Sequence, residues 1–339
     1  MKERIQYIDL AKGICILLVV LDHISKEGYF SAGDYPLHEV FGQMRMPLYF
    51  ILSGFFFKDY AGGIREFLLR KVNRILIPYL FFIFLFRTVP WLIQSLTSYS
   101  YICAETEATW GPLWFLRCLF FMNVIFAIAF YTIRRITPNT LIQDILLGCC
   151  MLVIGIAGYH VGNLHLNFGT TMTCMPLLWS GYFLNRKLNI LQRQIPWWWV
   201  IGLSVVLFVA LHYLYVGENY FYSNTYSSPL PLLYFAGFFG SLAVLMLSSI
   251  IKWLPIISYI GRYSLIVLCT HMAVMMGVIA ALRHLPGGWD DVSIVPSLIF
   301  LALAIAFSMF CCWFLSKYLP WFTAQKDLIK TGGSKTQAS

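Results

Sequence analysis

The chain has 339 residues, of which 59% are hydrophobic and only 12% are charged. Soluble domains carry about a quarter of charged residues, so this composition excludes a soluble protein and indicates a polytopic membrane protein. No nucleic-acid-binding motif accompanies the net charge of +9. We therefore interpret that charge as a sign of membrane topology and expect a lipid bilayer, but no nucleic acid, as a partner.

Apolar segments long enough to span a bilayer recur along the whole chain. Ten are predicted, at 8–25, 39–57, 75–95, 112–133, 141–158, 170–184, 197–215, 230–251, 256–282 and 294–316. Lys and Arg are held on the cytoplasmic side of membranes, and of the 24 Lys and Arg residues only Lys26 and Arg283 lie on the predicted outer loops. The sequence thus predicts an all-α polytopic membrane protein with about ten transmembrane helices and both termini cytoplasmic. A single membrane domain would cover residues 1–325, and the polar segment 326–339 is predicted to be a disordered cytoplasmic tail.

The first predicted helix carries Asp9, Lys12, Asp22 and His23. Each costs about 2.5–3.5 kcal/mol at the centre of a membrane span. On an α-helix Asp9, Lys12 and His23 share one face, with Lys12 and His23 about 16 Å apart along the axis, whereas Asp22 points about 100° away. Two interpretations stay open. In the first, Asp9 and Lys12 form an ion pair at the membrane interface and His23 is a boundary residue. In the second, the face that carries Asp9, Lys12 and His23 is a site in which His23 moves a proton.

Positive charges concentrate in the next cytoplasmic segment, at Lys58, Arg65, Arg70, Lys71 and Arg74. They are either the ordinary cytoplasmic anchor of a membrane protein or a site for a polyanion such as the phosphates of a nucleotide. The sequence shows no repeat and no cluster of residues with metal-ligand spacing, so no metal is predicted.

His271 is a second histidine within a predicted span. It is either a partner of His23 or acceptor-site residue, or a hydrogen-bonded packing histidine. Arg117 is costly in lipid and is expected to face the protein interior, while Trp114 is either a core residue or a substrate contact.

Five stretches resemble, in order, the acyltransferase 3 family of integral-membrane O-acyltransferases, in particular its fucose 4-O-acetylase-like branch. They are YIDLAKGICILLVVLDHIS (7–25), MPLYFILSGFFF (46–57), RKVNRILIPY (70–79), LWFLRCLF (113–120) and IGRYSLIVLCTH (260–271). The chain has Lys12 and Lys71 where arginine is common in the family, and Arg45 where the branch often has a histidine.

The resemblance implies that an acyl group, usually acetyl, passes from cytoplasmic acyl-CoA to a hydroxyl of a cell-surface or lipid-linked carbohydrate. The protein would lie in the inner (plasma) membrane. The implied site has three parts: a catalytic set of His23, Asp9, Arg45 and Ser53; binding of the CoA phosphates by Lys12, Lys71 and Arg74; and a supporting or acceptor-binding set of His271, Trp114 and Arg117. His23 would act as general base or as covalent carrier of the acyl group.

A transporter or flippase for a glycan or lipid is the main alternative, because intramembrane charges suit it equally well. Two matching broken helices would favour it, and none is evident in the sequence. A scaffold without activity is a third possibility. The aromatic outer loops 99–110 and 215–229 are either a membrane-interface belt or a platform for sugar rings. The sequence does not fix the oligomeric state.

Overall fold

The computed structural model describes residues 6–26, 38–97, 111–188, 196–213, 219–283 and 294–331. The α-helices are α1 (Gln6–Lys26), α2 (His38–Arg45), α3 (Pro47–Phe55), α4 (Gly63–Lys71), α5 (Ile77–Ile83), α6 (Val89–Thr97), α7 (Trp114–Ile136), α8 (Thr140–Val161), α9 (Phe168–Thr173), α10 (Met175–Phe183), α11 (Trp197–Tyr213), α12 (Leu230–Ile251), α13 (Pro255–Arg262), α14 (Ser264–Arg283) and α15 (Ile294–Tyr318). One short antiparallel hairpin joins β1 (Asn219–Tyr220) to β2 (Thr225–Tyr226).

The predicted all-helical membrane architecture is confirmed in its broad outline. Each of the ten predicted spans overlaps helix in the described residues, with non-helical positions at 46, 56–57, 174 and 263. Within the described residues, five helical segments are long and apolar enough to cross a membrane: Gly63–Leu92, Gly111–Ile136, Thr140–Val161, Leu230–Ile251 and Leu298–Tyr318. The bent pair α13–α14 makes a sixth if it counts as one span. α1 is not among them and carries Asp9, Lys12 and Asp22 within its length.

Two π-helical stretches interrupt the segment Gly63–Leu92, at Val72–Leu76 and Phe84–Thr88. Each ends two residues before a proline, Pro78 or Pro90. A proline inside a helix cannot donate its backbone hydrogen bond, and a wider π turn accommodates the disruption without ending the helix.

Contacts group the chain into two compact units whose segments alternate along the sequence. Unit 1 consists of Met1–His38, Pro78–Leu113 and Ser248–Gln325, and unit 2 consists of Glu39–Ile77, Trp114–Leu247 and Lys326–Ser339. The sequence prediction of one domain over residues 1–325 did not anticipate this division.

In unit 1, α1 packs closely against α13 through glycines. A methyl group added at Gly261 would clash with the carbonyl oxygen of Asp9, and one added at Gly13 would clash with the carbonyl oxygen of Ile257. Small residues let two helix backbones approach closely, which is how membrane helices associate. The predicted continuous span 256–282 is corrected here, because the chain bends by 95° between α13 and α14. The amide of Tyr263 closes α13 by donating to Ile260 O at 3.1 Å.

In unit 2, α3 and α10 pack through a reciprocal pair of glycines. A methyl at Gly54 would clash with the carbonyl oxygen of Leu178, and one at Gly181 would clash with that of Ile51. Each helix begins at a Met-Pro pair that breaks the preceding helix, and each ends in Ser-Gly followed by an aromatic residue: MPLYFILSGF (46–55) and MPLLWSGYF (175–183). The predicted spans 39–57 and 170–184 are therefore each a pair of shorter helices. The structure thus reveals a short internal repeat of two matching broken helices, the feature that would favour a transporter and that the sequence did not make evident.

The start of the predicted disordered tail is ordered. Asn73, fully buried, accepts from the backbone N–H groups of Leu328 and Ile329 at 3.0 and 2.8 Å and donates to Ile329 O at 2.9 Å. Arg74 forms an ion pair with Asp327 at 3.2 Å. The prediction of disorder is wrong for residues 327–329, because a buried amide replaces the water that their backbone groups would otherwise bind. Residues 332–339 lie outside the described part of the chain.

Candidate active site

His23 and His271 meet within unit 1. α1 carries His23 near its end, and α14 carries His271 in its first half. The ring centroids lie 5.0 Å apart and the ring planes cross at 73°. Sequence reasoning placed these residues on separate helices and left open whether they were partners. The structure brings them together.

Backbone hydrogen bonds fix the tautomer of both rings. The Nδ1–H of His23 donates to Val19 O at 2.8 Å, and the Nδ1–H of His271 donates to Leu268 O at 2.9 Å and Val267 O at 3.0 Å. A carbonyl oxygen only accepts, so the proton of each neutral ring belongs on Nδ1 and the lone pair on Nε2. Both histidines therefore present Nε2 as a proton acceptor.

His271 is only 1% exposed, and its Nε2 has no hydrogen-bond partner among the described residues. A buried polar atom without a partner costs about 1–3 kcal/mol of stability. Such a cost is more readily explained by a ligand or a reaction than by packing. Two imidazolium cations at this separation would repel each other, which disfavours a positive charge on both rings at once.

The other ionisable residues of α1 differ in burial. Asp9 and Asp22 are each 6% exposed, whereas Lys12 is half-buried. The backbone carbonyl of Asp9 lies against Gly261 of α13. Asp22, for which the sequence offered no role, is buried as fully as Asp9.

Ser53 belongs to unit 2, where its hydroxyl is paired with an amide. Asn123 of α7 donates to Ser53 Oγ at 2.9 Å and to Leu119 O at 2.7 Å, and Ser53 Oγ donates to Asn123 Oδ1 at 3.2 Å. The pair links α3 to α7. Sequence reasoning missed Asn123, although an asparagine within an apolar helix is a recognisable signal of interhelical hydrogen bonding. Arg45, the last residue of α2, is half-buried and also lies in unit 2.

Arg117 and Trp114 anchor a polar network under the β1–β2 hairpin in unit 2. Arg117 donates to Asn167 Oδ1, and Asn167 donates in turn to Tyr222 O at 2.7 Å. The ring of Trp114 lies edge-on to that of Tyr222, with centroids 6.0 Å apart. The predicted interior position of Arg117 fits its half-buried side chain, whose Nε is buried and has no partner in the part of the chain that the structure describes.

Buried asparagine and threonine side chains hold the hairpin itself. Thr173 Oγ1 donates to Asn224 Oδ1 at 2.9 Å, and Asn224 Nδ2 donates to Gly158 O at 2.9 Å and Gly162 O at 2.7 Å. Burial raises the pKa of Tyr226, in the same hairpin, well above its ordinary value. The hairpin is thus a fixed surface, with Tyr220 and Tyr222 exposed. The other aromatic loop named from the sequence, 99–110, lies outside the described residues.

Two residues of the predicted donor site, Lys71 and Arg74, lie in unit 2 and have partners there, as does their neighbour Arg70. Arg74 pairs with Asp327, and Arg70 pairs with Glu66 at 2.8 Å. The Nζ of Lys71 lies 5.1 Å from the ring centroid of Phe67. Among the described residues there is no group of three or more His, Cys, Asp and Glu side chains that could hold a metal ion.

The comparisons with known proteins give one match. The family model described as an acyltransferase domain, acyltransferase 3, matches residues 5–317, which is nearly the whole chain. No curated protein and no solved structure matches the chain.

Proposed function

The chain belongs to the acyltransferase 3 family and is a multi-pass membrane acyltransferase. From this family and from the histidine pair, we propose that the protein transfers acetyl from acetyl-CoA to a hydroxyl of a cell-surface or lipid-linked carbohydrate. The geometry of His23 and His271 carries this proposal. A hydroxyl becomes a competent nucleophile when a base removes its proton during attack. Both imidazoles present an unprotonated Nε2 for that task, and no metal is needed for the step.

The proposed reaction moves the acyl group from the thioester sulfur to the acceptor oxygen. Nε2 of His23 takes the proton of the acceptor hydroxyl while the oxygen attacks the thioester carbonyl. The C–S bond then breaks, the acyl group stays on the acceptor oxygen, and the proton passes from the imidazolium to the departing thiolate. The ring of His271 lies against that of His23, with centroids 5.0 Å apart, and helps to position it.

The predicted residues Asp9, Lys12, Arg45 and Ser53 enter this proposal with the roles predicted for them. Asp9 belongs to the catalytic face of α1, and Lys12 lies on the same face toward the predicted cytoplasmic end. Arg45 is the predicted donor to the oxyanion. Ser53, its predicted alternative, is the weaker candidate because its hydroxyl bonds to Asn123. The packing glycines Gly13 and Gly261 support the site by setting the position of α1.

The proposed topology has ten spans with both termini in the cytoplasm, in the inner membrane. The charge distribution over the loops supports it. Acyl-CoA would then approach from the side on which the basic segments 58–74, 134–135 and 186–193 lie. The acceptor would approach from the side of the hairpin at Asn219–Tyr226.

The experiment measures release of free CoA thiol by the purified protein, given radiolabelled acetyl-CoA and a glycan extract of the producing cell. We expect thiol release together with label in the carbohydrate fraction, and a slower reaction with longer acyl-CoA would establish the acetyl preference. Absence of both thiol release and label would overturn the proposal and favour the transporter alternative.

A further inference from the structure

A cavity of about 680 Å³ lies at one end of unit 2. The ends of four helices converge on it: the C-terminal ends of α3, α7 and α10, and the N-terminal end of α8. Its volume falls within the range of about 300–1,000 Å³ that is typical of small-molecule sites. Neither the family motifs nor the predicted donor site assigned a role to this cavity.

The walls of the cavity combine aromatic rings with arginines. Phe57, Phe130 and Tyr182 pack edge to face, with centroids 4.9 to 5.9 Å apart, and form an aromatic wall. Arg134 and Arg186 also line the cavity, and both are exposed. Planar aromatic ligands stack on such rings, and guanidinium groups bind phosphates through paired N–H donors.

The two arginines have donors left for a ligand. Arg134 pairs with Asp59, which also accepts from Tyr131 OH at 3.0 Å, yet the Arg134 side chain is 52% exposed. Arg186 donates to Tyr182 OH, and its guanidinium carbon lies 5.6 Å from the Tyr182 ring centroid. A guanidinium has five N–H donors, so neither contact uses up the group. The positive end of the α8 dipole adds to the favourable potential.

Two carboxylates oppose an anion here. Asp59 lines the cavity and competes with a phosphate for Arg134. Asp144 interacts with Tyr182. The two carboxylates disfavour a simple anion. They therefore favour a ligand that combines phosphate with an aromatic base that stacks on the aromatic wall.

We propose that this cavity binds the phosphorylated adenosine part of the acyl donor, with Arg134 and Arg186 on its phosphates and the aromatic wall against its base. The inference rests on the proposed function for the identity of the donor. It gives the Ser-Gly-Phe motif a role, because Gly54 lines the cavity and lets α10 pack close to α3. It also explains how the donor binds while Arg70 and Arg74 remain paired with Glu66 and Asp327.

The test titrates adenosine 3′,5′-bisphosphate into the purified, lipid-free protein in a neutral detergent. Arg186→Gln and Arg134→Gln are expected to weaken binding about tenfold to a hundredfold, the value of one charge-assisted contact. Arg135→Gln is the matched control, because this exposed arginine neighbours Arg134 but does not line the cavity. Asp59→Asn should tighten binding several-fold, which a purely structural role of Asp59 would not produce. Arg186→Gln leaves the Arg134–Asp59 pair intact and guards against a folding defect.

Two results would overturn the inference. One is equal affinity in wild type, Arg134→Gln and Arg186→Gln. The other is arginine-dependent binding of phosphatidylglycerol nanodiscs, judged against phosphatidylcholine nanodiscs, without binding of the nucleotide, which would assign the cavity to a lipid headgroup. Acyl transfer by the same preparations separates the two proposals. Arginine-dependent nucleotide binding without transfer leaves the cavity site standing and removes the proposed function. Transfer with an unchanged KM for acetyl-CoA in Arg186→Gln removes the cavity site alone.

Discussion

His23 and His271 lie with ring centroids 5.0 Å apart, each holding its Nδ1–H on a backbone carbonyl of its own helix. These backbone contacts leave the Nε2 of each ring as its basic nitrogen. Backbone carbonyls perform the orienting task that a carboxylate performs in many catalytic histidines.

Replacement of His271 by alanine is expected to slow acyl transfer about 10²-fold or more, the lower part of the range for loss of a positioned acid–base group. Glutamine can donate and accept hydrogen bonds but takes up no proton. The glutamine variant should therefore fold like wild type and transfer acyl groups as slowly as the alanine variant. Rates are compared with thermal stability in detergent for the same variants. A glutamine variant with wild-type rate and an unchanged pH profile would reduce His271 to a packing residue.

Gly261→Ala is expected to reduce activity by displacing α1 from α13, because the added methyl meets the Asp9 carbonyl. Overpacking of this kind typically costs about 1–3 kcal/mol. Gly202→Ala is the control, since an added methyl there meets nothing within 4 Å. Parallel measurement of rate and melting temperature checks the prediction, and full activity of Gly261→Ala would contradict it.

Gly54→Ala and Gly181→Ala should each destabilise the protein, because each added methyl clashes with a backbone carbonyl across the α3–α10 contact. Backbone atoms yield less easily than side chains, so we expect at least the usual overpacking cost of about 1–3 kcal/mol. Unfolding in detergent measures the effect. Stability equal to that of wild type in both variants would show that the two helices do not pack as described.

Asn73→Ala is expected to release the segment at residues 327–329 and to cost about 1–3 kcal/mol, because two backbone N–H groups lose a buried acceptor. Arg74→Gln should cost less than about 1 kcal/mol, because the Arg74–Asp327 pair is partly exposed. Limited proteolysis distinguishes the two variants, because the C-terminal segment should be cleaved faster in Asn73→Ala than in Arg74→Gln. Equal protection of the segment in wild type and Asn73→Ala would contradict the anchoring role.

The sequence predicted much of the fold from length and hydropathy. The helices could be predicted because an apolar run of about twenty residues in a membrane must satisfy its backbone hydrogen bonds internally, which a helix does. The breaks at Met46–Pro47 and Met175–Pro176 and the bend before Ser264 were not predicted. Proline and glycine are tolerated within membrane helices, so their presence alone does not mark a break.

The sequence singled out His23 and His271 but did not show that their rings are in contact. His23 and His271 followed from the cost of placing an ionisable residue in a membrane. Their proximity depends on tertiary packing, which periodicity does not contain. Asn73 and Asn123 were missed because their partners, Ile329 O and Ser53, lie far from them in the sequence and are known only from the structure.

The most direct measurement compares acetyl transfer by wild type, His23→Gln and His160→Gln under identical conditions. His160 is an exposed histidine at the end of α8 and serves as the matched control. The account predicts that His23→Gln folds and still binds acetyl-CoA but loses about 10²–10⁴-fold in rate, while His160→Gln keeps the wild-type rate. A folded His23→Gln protein that transfers acetyl at the wild-type rate would contradict the assignment of His23 as the base.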